Sequence, residues 1–111
     1  MNWFAGAVRI IGNDYSDAIG RVEIFRSGVW GTVCDDLWDD IDAGVVCRSL
    51  GYSEGYAFTA GDHYGCVDGI IWLDNVECTG TEQSLSECQH NGWEIHNCGH
   101  YEDAGVSCDI G

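Results

Sequence analysis

Residues 28–47 read GVWGTVCDDLWDDIDAGVVC, and the character of this stretch changes halfway along it. Val29, Trp30 and Val33 are of the β-branched and aromatic types that favour a strand. From Ala43 onward, apolar residues recur at the spacing of one helix face. Between the two lies an acidic turn that contains Asp35, Asp36, Asp39, Asp40 and Asp42. The stretch therefore predicts a strand, an acidic turn and a helix.

The helix has recognisable ends. Asp39 or Asp40 is a suitable N-cap, because a carboxylate accepts hydrogen bonds from the free N–H groups of the first turn. Gly51 stands where a left-handed residue commonly ends a helix. Cys34 precedes the acidic turn and Cys47 lies within the helix. We therefore expect cysteines to fix the turn on both sides.

The net charge limits the classes of molecule that the protein is expected to bind. The 111 residues include 19 acidic and 4 basic side chains, which gives a formal charge of −15. Nucleic acid is not expected as a partner, because the chain has no basic surface that would displace counterions. Such a charge repels itself, so solvent screening, disulfides or bound cations must offset it.

Seven cysteines in so short a chain indicate an oxidising compartment and a disulfide framework. Zinc is disfavoured, because the cysteines are widely spaced and form no CxxC pair. No apolar run is long enough to cross a membrane, so this domain is not expected to insert into one. We expect a secreted protein or the extracellular part of a membrane protein, with its secretion signal outside this sequence.

The remaining patterns predict short strands and one further short helix, and hence an α+β domain with an antiparallel sheet. A capping box at residues 79–82 predicts that the second helix continues through Leu85. We expect one domain over residues 8–109, with residues 1–7 as an N-terminal extension or linker. The predicted strands cover residues 8–11, 21–25, 29–34, 56–59, 70–76 and 104–108.

Four ordered motifs resemble those of a scavenger receptor cysteine-rich (SRCR) domain. They are WGTVCDD, VVCRSLG, LDNVECTG and HNCGHYEDAGVSC, and the resemblance covers nearly the whole chain. It implies a curved antiparallel β-sheet that cradles one α-helix, stabilised by disulfides. The motifs agree with the elements that the residue patterns predict.

The resemblance also implies a disulfide pairing, namely Cys34–Cys98, Cys47–Cys108 and Cys78–Cys88. Ala18 and Tyr52 stand where eight-cysteine members have a further bridge, so the chain is similar to the six-cysteine group, group A. Cys66 is an additional cysteine that the family pattern lacks. It is either a free thiol or the site of an intermolecular disulfide that forms a dimer.

The acidic turn is a candidate cation site. Neighbouring carboxylates repel one another, and Ca²⁺ removes this repulsion because it accepts six to eight oxygen ligands in irregular geometry. The implied Cys34–Cys98 bridge would bring Glu102 beside Asp35 and Asp36, a trio that resembles the family's cation site. We predict Ca²⁺ at this first site, with Mg²⁺ as the alternative ion. A second site is predicted from Asp39, Asp42, Asp74 and Asn97, and the alternative for both sets is a solvated face with helix-capping roles.

Two other chemistries are disfavoured. His96, Cys98 and His100 form an HxCxH run, but the implied bridge commits the cysteine, so zinc is not expected there. Ser84, Ser86 and Ser107 lack the sequence context of an activated nucleophile, so we expect no catalytic residues and no enzyme.

Two functions remain. The first is an extracellular recognition module of the scavenger or innate-immune type, which binds polyanions through calcium. Its ligands would be bacterial surface polymers or sulfated glycans. The alternative is a non-catalytic interaction module of a larger receptor or secreted protease, with a protein partner.

Overall fold

A curled sheet of six strands and one α-helix form the domain. The computed structural model describes residues 5–13, 16–61, 63–64 and 69–109. The strands are β1 (Val8–Asn13), β2 (Ser16–Arg26), β3 (Val29–Val33), β4 (Glu54–Thr59), β5 (Ile71–Leu73) and β6 (Ala104–Asp109). The helix α1 covers Asp40–Ser49, and 3-10 helices cover Leu85–Glu87 and His100–Glu102.

The strand β2 is the centre of the sheet. It pairs with β1, β3 and β6, and the main strand order is β4-β6-β2-β3-β5. Most pairs are antiparallel, but β3 and β5 are parallel. The sheet is therefore mixed rather than purely antiparallel as predicted. A parallel pair requires a long crossover, and the segment with α1 and β4 provides it.

A two-residue turn joins β2 to β3. Ser27 and Gly28 have φ values of 54° and 80°. Two left-handed residues in succession are typical of a type I′ turn, whose twist matches that of the flanking strands. The turn joins the strands predicted over residues 21–25 and 29–34 into an antiparallel hairpin, and β3 leads into the acidic turn.

The helix has the predicted caps. Asp39 is the N-cap and forms a capping box with Asp42, and Gly51 has a φ of 96° just beyond the end. Five consecutive residues from Ala43 to Cys47 are buried against the sheet. They join a core whose largest fully buried apolar members are Val22, Ile24, Val33, Val45, Val46, Leu73, Val76, Leu85 and Val106.

Three disulfides connect these elements. Cys47–Cys108 joins α1 to β6, and Cys34–Cys98 joins the end of β3 to the segment before the second 3-10 helix. Cys78–Cys88 closes the segment that contains the first 3-10 helix. These are the three pairs that the family resemblance implies.

The second predicted helix starts later than expected. The carboxylate of Glu82 accepts hydrogen bonds from the backbone N–H groups of Thr79, at 2.9 Å, and Gly80, at 3.0 Å. These bonds stabilise a turn, and the 3-10 helix begins only at Leu85, with Ser84 as its N-cap. The capping-box pattern therefore predicted the bond between Glu82 and Thr79 but not the type of structure that follows.

Candidate functional site

The acidic turn lies against the second 3-10 helix. Cys34 forms an isolated β-bridge with Asp103, and the backbone N–H of Asp35 donates to the carbonyl oxygen of Glu102 at 2.8 Å. The Cys34–Cys98 disulfide links the same two segments. One covalent bond and several backbone contacts thus hold the turn and Glu102 together.

The carboxylates of Asp36 and Glu102 lie close together in this region. Their oxygens and the sulfurs of Cys34 and Cys98 all lie within 4.8 Å of one another. The sulfurs are joined in a disulfide, so they are neither thiolate ligands nor proton donors. The distance of 3.7 Å between Asp36 Oδ2 and Cys98 Sγ is therefore only a packing contact. Oε1 of Glu102 also accepts a hydrogen bond from the Gly99 N–H at 3.2 Å. The other carboxylate oxygens of Asp36 and Glu102 are the groups that remain available for a cation.

Asp74 lies beside Asp36 and belongs to the same carboxylate cluster, although the sequence placed it in the second set and its oxygens are outside the close group. Its side chain is buried, and Oδ1 accepts a hydrogen bond from the backbone N–H of Asn75 at 2.8 Å. The buried Oδ2 has no hydrogen-bond partner within the described part of the chain. A buried carboxylate oxygen without a partner is costly unless an ion or a proton satisfies it.

The pKa of Asp36 shows the effect of the neighbouring carboxylates. Partial burial raises the pKa of Asp36 above its ordinary value, and the charges of Asp74, Glu102 and Asp35 raise it further. A hydrogen bond that a protonated Asp36 forms with Asp74 acts in the same direction. The cluster thus favours a positive charge or a bound proton at Asp36.

Asp35 makes a different contact from Asp36. Its Oδ2 accepts a hydrogen bond from the Thr59 hydroxyl at 2.7 Å, and its oxygens are not in the close group that Asp36 and Glu102 form. The charge of Asp35 nevertheless contributes to the field at Asp36. The structure therefore places Asp35 at the edge of the cluster.

Tyr101 extends the site toward solvent. Its side chain is 75% exposed. The charge of Glu102 and a hydrogen bond to that carboxylate raise the pKa of the Tyr101 phenol. Sequence reasoning did not select Tyr101 or Thr59, although the position of Tyr101 directly before Glu102 was a signal for it.

The partly buried His100 and the buried Asp103 flank Glu102 and contact each other. Nδ1 of His100 lies 3.0 Å from Oδ2 of Asp103, and its Nε2 lies 2.8 Å from the carbonyl oxygen of Gly69. The Asp103 carboxylate is fully buried; its burial raises the pKa, which the contact with His100 partly offsets. These bonds fix the segment that carries Glu102.

The other members of the predicted second set are dispersed. Asp39 Oδ1 accepts from the backbone N–H groups of Ile41 and Asp42. Asp42 accepts in turn from the N–H groups of Asp39, at 2.9 Å, and Cys78, at 2.8 Å. These carboxylates cap α1, which is the alternative role given above. Burial raises the pKa of Asp42 to about 6.

Asn97 and His96 lie outside the carboxylate cluster. Asn97 is exposed, and its Oδ1 is 3.7 Å from the Cys98 sulfur. His96 accepts a hydrogen bond from the backbone N–H of Cys98 at 3.1 Å. Cys66 falls outside the described residues, so the choice between a free thiol and an intermolecular disulfide stays a prediction.

Comparison with known proteins shows which family the chain matches. A family model described as the scavenger receptor cysteine-rich domain matches residues 12–109. The macrophage receptor MARCO of Mesocricetus auratus is 54% identical over 101 residues, which are 91% of this chain and 20% of the receptor. Lysyl oxidase homolog 2 of Bos taurus is 50% identical over 101 residues, 91% of this chain and 13% of that protein. The chain thus spans a fifth or less of the length of these curated relatives.

A solved structure shares the fold. The dimeric form of the SRCR domain of mouse MARCO has a TM-score of 0.75 and 47% identity, covering 97% of this chain and 94% of that one. In the part of the chain that is described, no helix has the length and apolar character needed to span a membrane.

Proposed function

The chain belongs to the scavenger receptor cysteine-rich family, and from this we propose that it is a non-catalytic recognition module that binds polyanions through Ca²⁺. Domains of this family are extracellular parts of receptors or secreted proteins. The observation that carries the proposal is the buried Oδ2 of Asp74, which lacks a partner among the described residues and belongs to the carboxylate cluster around Asp36.

The donor set fits a hard cation. Asp36, Glu102 and Asp74 offer carboxylate oxygens, which are the ligands that Ca²⁺ prefers. They come from three separate segments, and Ca²⁺ tolerates the irregular geometry that results better than Mg²⁺ does. Asp35 adds negative charge at the edge of the cluster. A bound Ca²⁺ would offset the mutual repulsion of these groups.

A bound cation would also explain how a negatively charged domain binds a negatively charged ligand. A domain with a formal charge of −15 repels a polyanion. Three protein carboxylates leave coordination positions of Ca²⁺ to water, and a sulfate, phosphate or carboxylate of a ligand can replace that water. Each such contact is weak, so we expect useful affinity only when several copies of the domain act together.

The experiment is thermal unfolding at increasing Ca²⁺ concentration, followed by binding of immobilised, multivalent domain to polyanionic particles. Ca²⁺ binds the folded state, so the melting temperature should rise with its concentration. Asp36→Asn should abolish this rise. Asp17→Asn removes the same charge from an exposed position on β2, and it should preserve the rise.

Particle binding should occur in calcium and reverse in chelator. A melting temperature unchanged at millimolar Ca²⁺ would contradict the cation site. Particle binding that persists in chelator and in Asp36→Asn would favour the alternative of a protein-interaction module, in which another face of the domain makes the contact.

A further inference from the structure

A polar cleft opens beside the carboxylate cluster. Its volume is about 480 Å³, and Asp36 forms part of its wall. Two backbone hydrogen bonds join the segments that line it. Glu77 N–H donates to the Gln89 carbonyl oxygen at 2.9 Å, and Asn91 N–H donates to the Asp74 carbonyl oxygen at 3.2 Å. The cleft is therefore built on the backbone segment that carries Asp74.

Three side-chain amides line the cleft. Those of Asn75 and Gln89 form no hydrogen bond with other described residues, and that of Asn91 forms only a long one, at 3.5 Å, to the Ile95 carbonyl oxygen. Each amide presents two donors and one acceptor group. Such groups complement hydroxyls, which also donate and accept.

The cleft itself does not attract an anion. Its charged side chains are the carboxylates of Asp36 and Glu77. Burial lowers the pKa of His90 and so disfavours a positive charge on this ring. Its Nδ1 accepts a hydrogen bond from Gly92 N–H at 3.0 Å, and the ring packs edge-on against Trp93. An uncharged, hydroxylated group therefore fits the lining better than a sulfate or phosphate does.

Two residues on the cleft wall have unusual backbone conformations. Leu37 has a φ of 64° and Asn75 a φ of 54°. This region is ordinary for asparagine but costs about 1 kcal/mol or more for leucine. Leu37 is also 58% exposed, so burial of its side chain does not offset the cost. Strain of this kind is typical of ligand-binding positions, and here it sets an apolar side chain at the edge of a polar cleft.

We propose that this cleft binds an uncharged, hydroxyl-bearing sugar ring next to the anionic group that the cation holds. This inference depends on the proposed function only for the position of the anionic group at the cation. The amides of Asn75, Gln89 and Asn91 bond the hydroxyls, and Leu37 contacts the C–H face of the ring. The ligand class is therefore an acidic glycan, in preference to a polyanion without sugar rings.

The test compares two polymers that share the sulfate group. One is dextran sulfate of low substitution, which retains free ring hydroxyls, and the other is poly(vinyl sulfate), which has neither rings nor hydroxyls. The variant is Asn75→Gly with Gln89→Ala; glycine preserves the left-handed backbone at position 75. Gln83→Ala, at an exposed glutamine outside the cleft, is the matched control.

In calcium, the double variant should bind immobilised dextran sulfate about tenfold more weakly than the unmodified domain, since two hydrogen bonds are lost. Its affinity for poly(vinyl sulfate) should be unchanged, and Gln83→Ala should bind both polymers normally. Equal losses for the two polymers, no loss for dextran sulfate, or no binding of dextran sulfate by the unmodified domain would each overturn the inference.

The same variant separates this inference from the calcium proposal. Its melting temperature should still rise with Ca²⁺, because Asp36 and Glu102 are intact. A selective loss of dextran sulfate binding with no effect of Ca²⁺ on any domain would support the cleft and contradict the cation. A melting temperature that rises normally with Ca²⁺, together with equal effects of the double variant on both polymers, would support the cation and contradict the cleft.

Discussion

The backbone N–H of Asp35 donates to the carbonyl oxygen of Glu102 at 2.8 Å, which places the acidic turn and the second 3-10 helix in direct contact. The two acidic side chains nevertheless make different contacts. Asp35 is bonded to Thr59, whereas the Glu102 carboxylate lies near Asp36. The contributions of the three carboxylates to cation binding should therefore differ.

We expect Asp36→Asn and Glu102→Gln to weaken Ca²⁺ binding more than Asp35→Asn does. Asp36 and Glu102 have oxygens in one close group, while Oδ2 of Asp35 is held by the Thr59 hydroxyl. Isothermal titration calorimetry of the three variants measures the difference directly. Equal losses in all three would show that Asp35 is a ligand on the same footing as the others.

Gly55→Ala should destabilise the domain by about 1–3 kcal/mol, the usual range for an overpacked core. A Cβ at this position would lie 2.5 Å from the Cys47 sulfur and 2.6 Å from the Ala43 carbonyl oxygen, both in α1. Gly69→Ala is the control, because a Cβ there meets no atom of the described residues within 4 Å. Denaturant unfolding with the disulfides intact gives both values, and similar stabilities for the two variants would argue against tight packing of α1 on β4.

Asp42 should make the stability depend on pH in mildly acidic solution. Burial raises the pKa of its carboxyl group to about 6 in the folded domain, so between about pH 4 and 6 the folded state binds more protons than the unfolded state. The free energy of unfolding that Asp42 contributes then falls as the pH rises, by up to about 1.4 kcal/mol per pH unit. This loss is complete above the folded pKa.

Urea unfolding of the unmodified domain and of Asp42→Asn, both in chelator, isolates this contribution. The asparagine does not titrate, so the unmodified domain should lose stability relative to the variant as the pH rises from 4 to 6. A constant difference across this range would show that the Asp42 pKa is unshifted.

Leu37→Asn should stabilise the domain by about 0.5–1 kcal/mol, because asparagine tolerates the left-handed conformation better than leucine does. It should also weaken binding to dextran sulfate, if Leu37 contacts the sugar ring. Ile95→Asn provides the control, since Ile95 is similarly exposed, at 60%, without a positive φ. It should give no gain in stability. Destabilisation by Leu37→Asn would mean that the leucine side chain contributes more packing than its exposure indicates.

The local elements could be predicted from the sequence because short-range chemistry determines them. The N-cap at Asp39, the glycine after α1 and the turn at Ser27 and Gly28 each depend on residues a few positions apart. The four ordered motifs were specific enough to indicate the family and, through it, the three disulfides. The composition likewise disfavours nucleic acid as a partner, because the excess of acidic side chains does not depend on how the chain folds.

Only the tertiary structure brought Asp74 into the carboxylate cluster, whereas the family resemblance had already grouped Asp36 with Glu102. Asp74 follows β5, and the parallel pairing of β5 with β3 brings it beside Asp36, which local patterns do not reveal. The sequence predicted Asp39 and Asp42 as ligands of a second site, but the start of α1 uses their oxygens for backbone hydrogen bonds. A carboxylate binds a cation or caps a helix according to which donors surround it, and long-range strand pairing sets those surroundings.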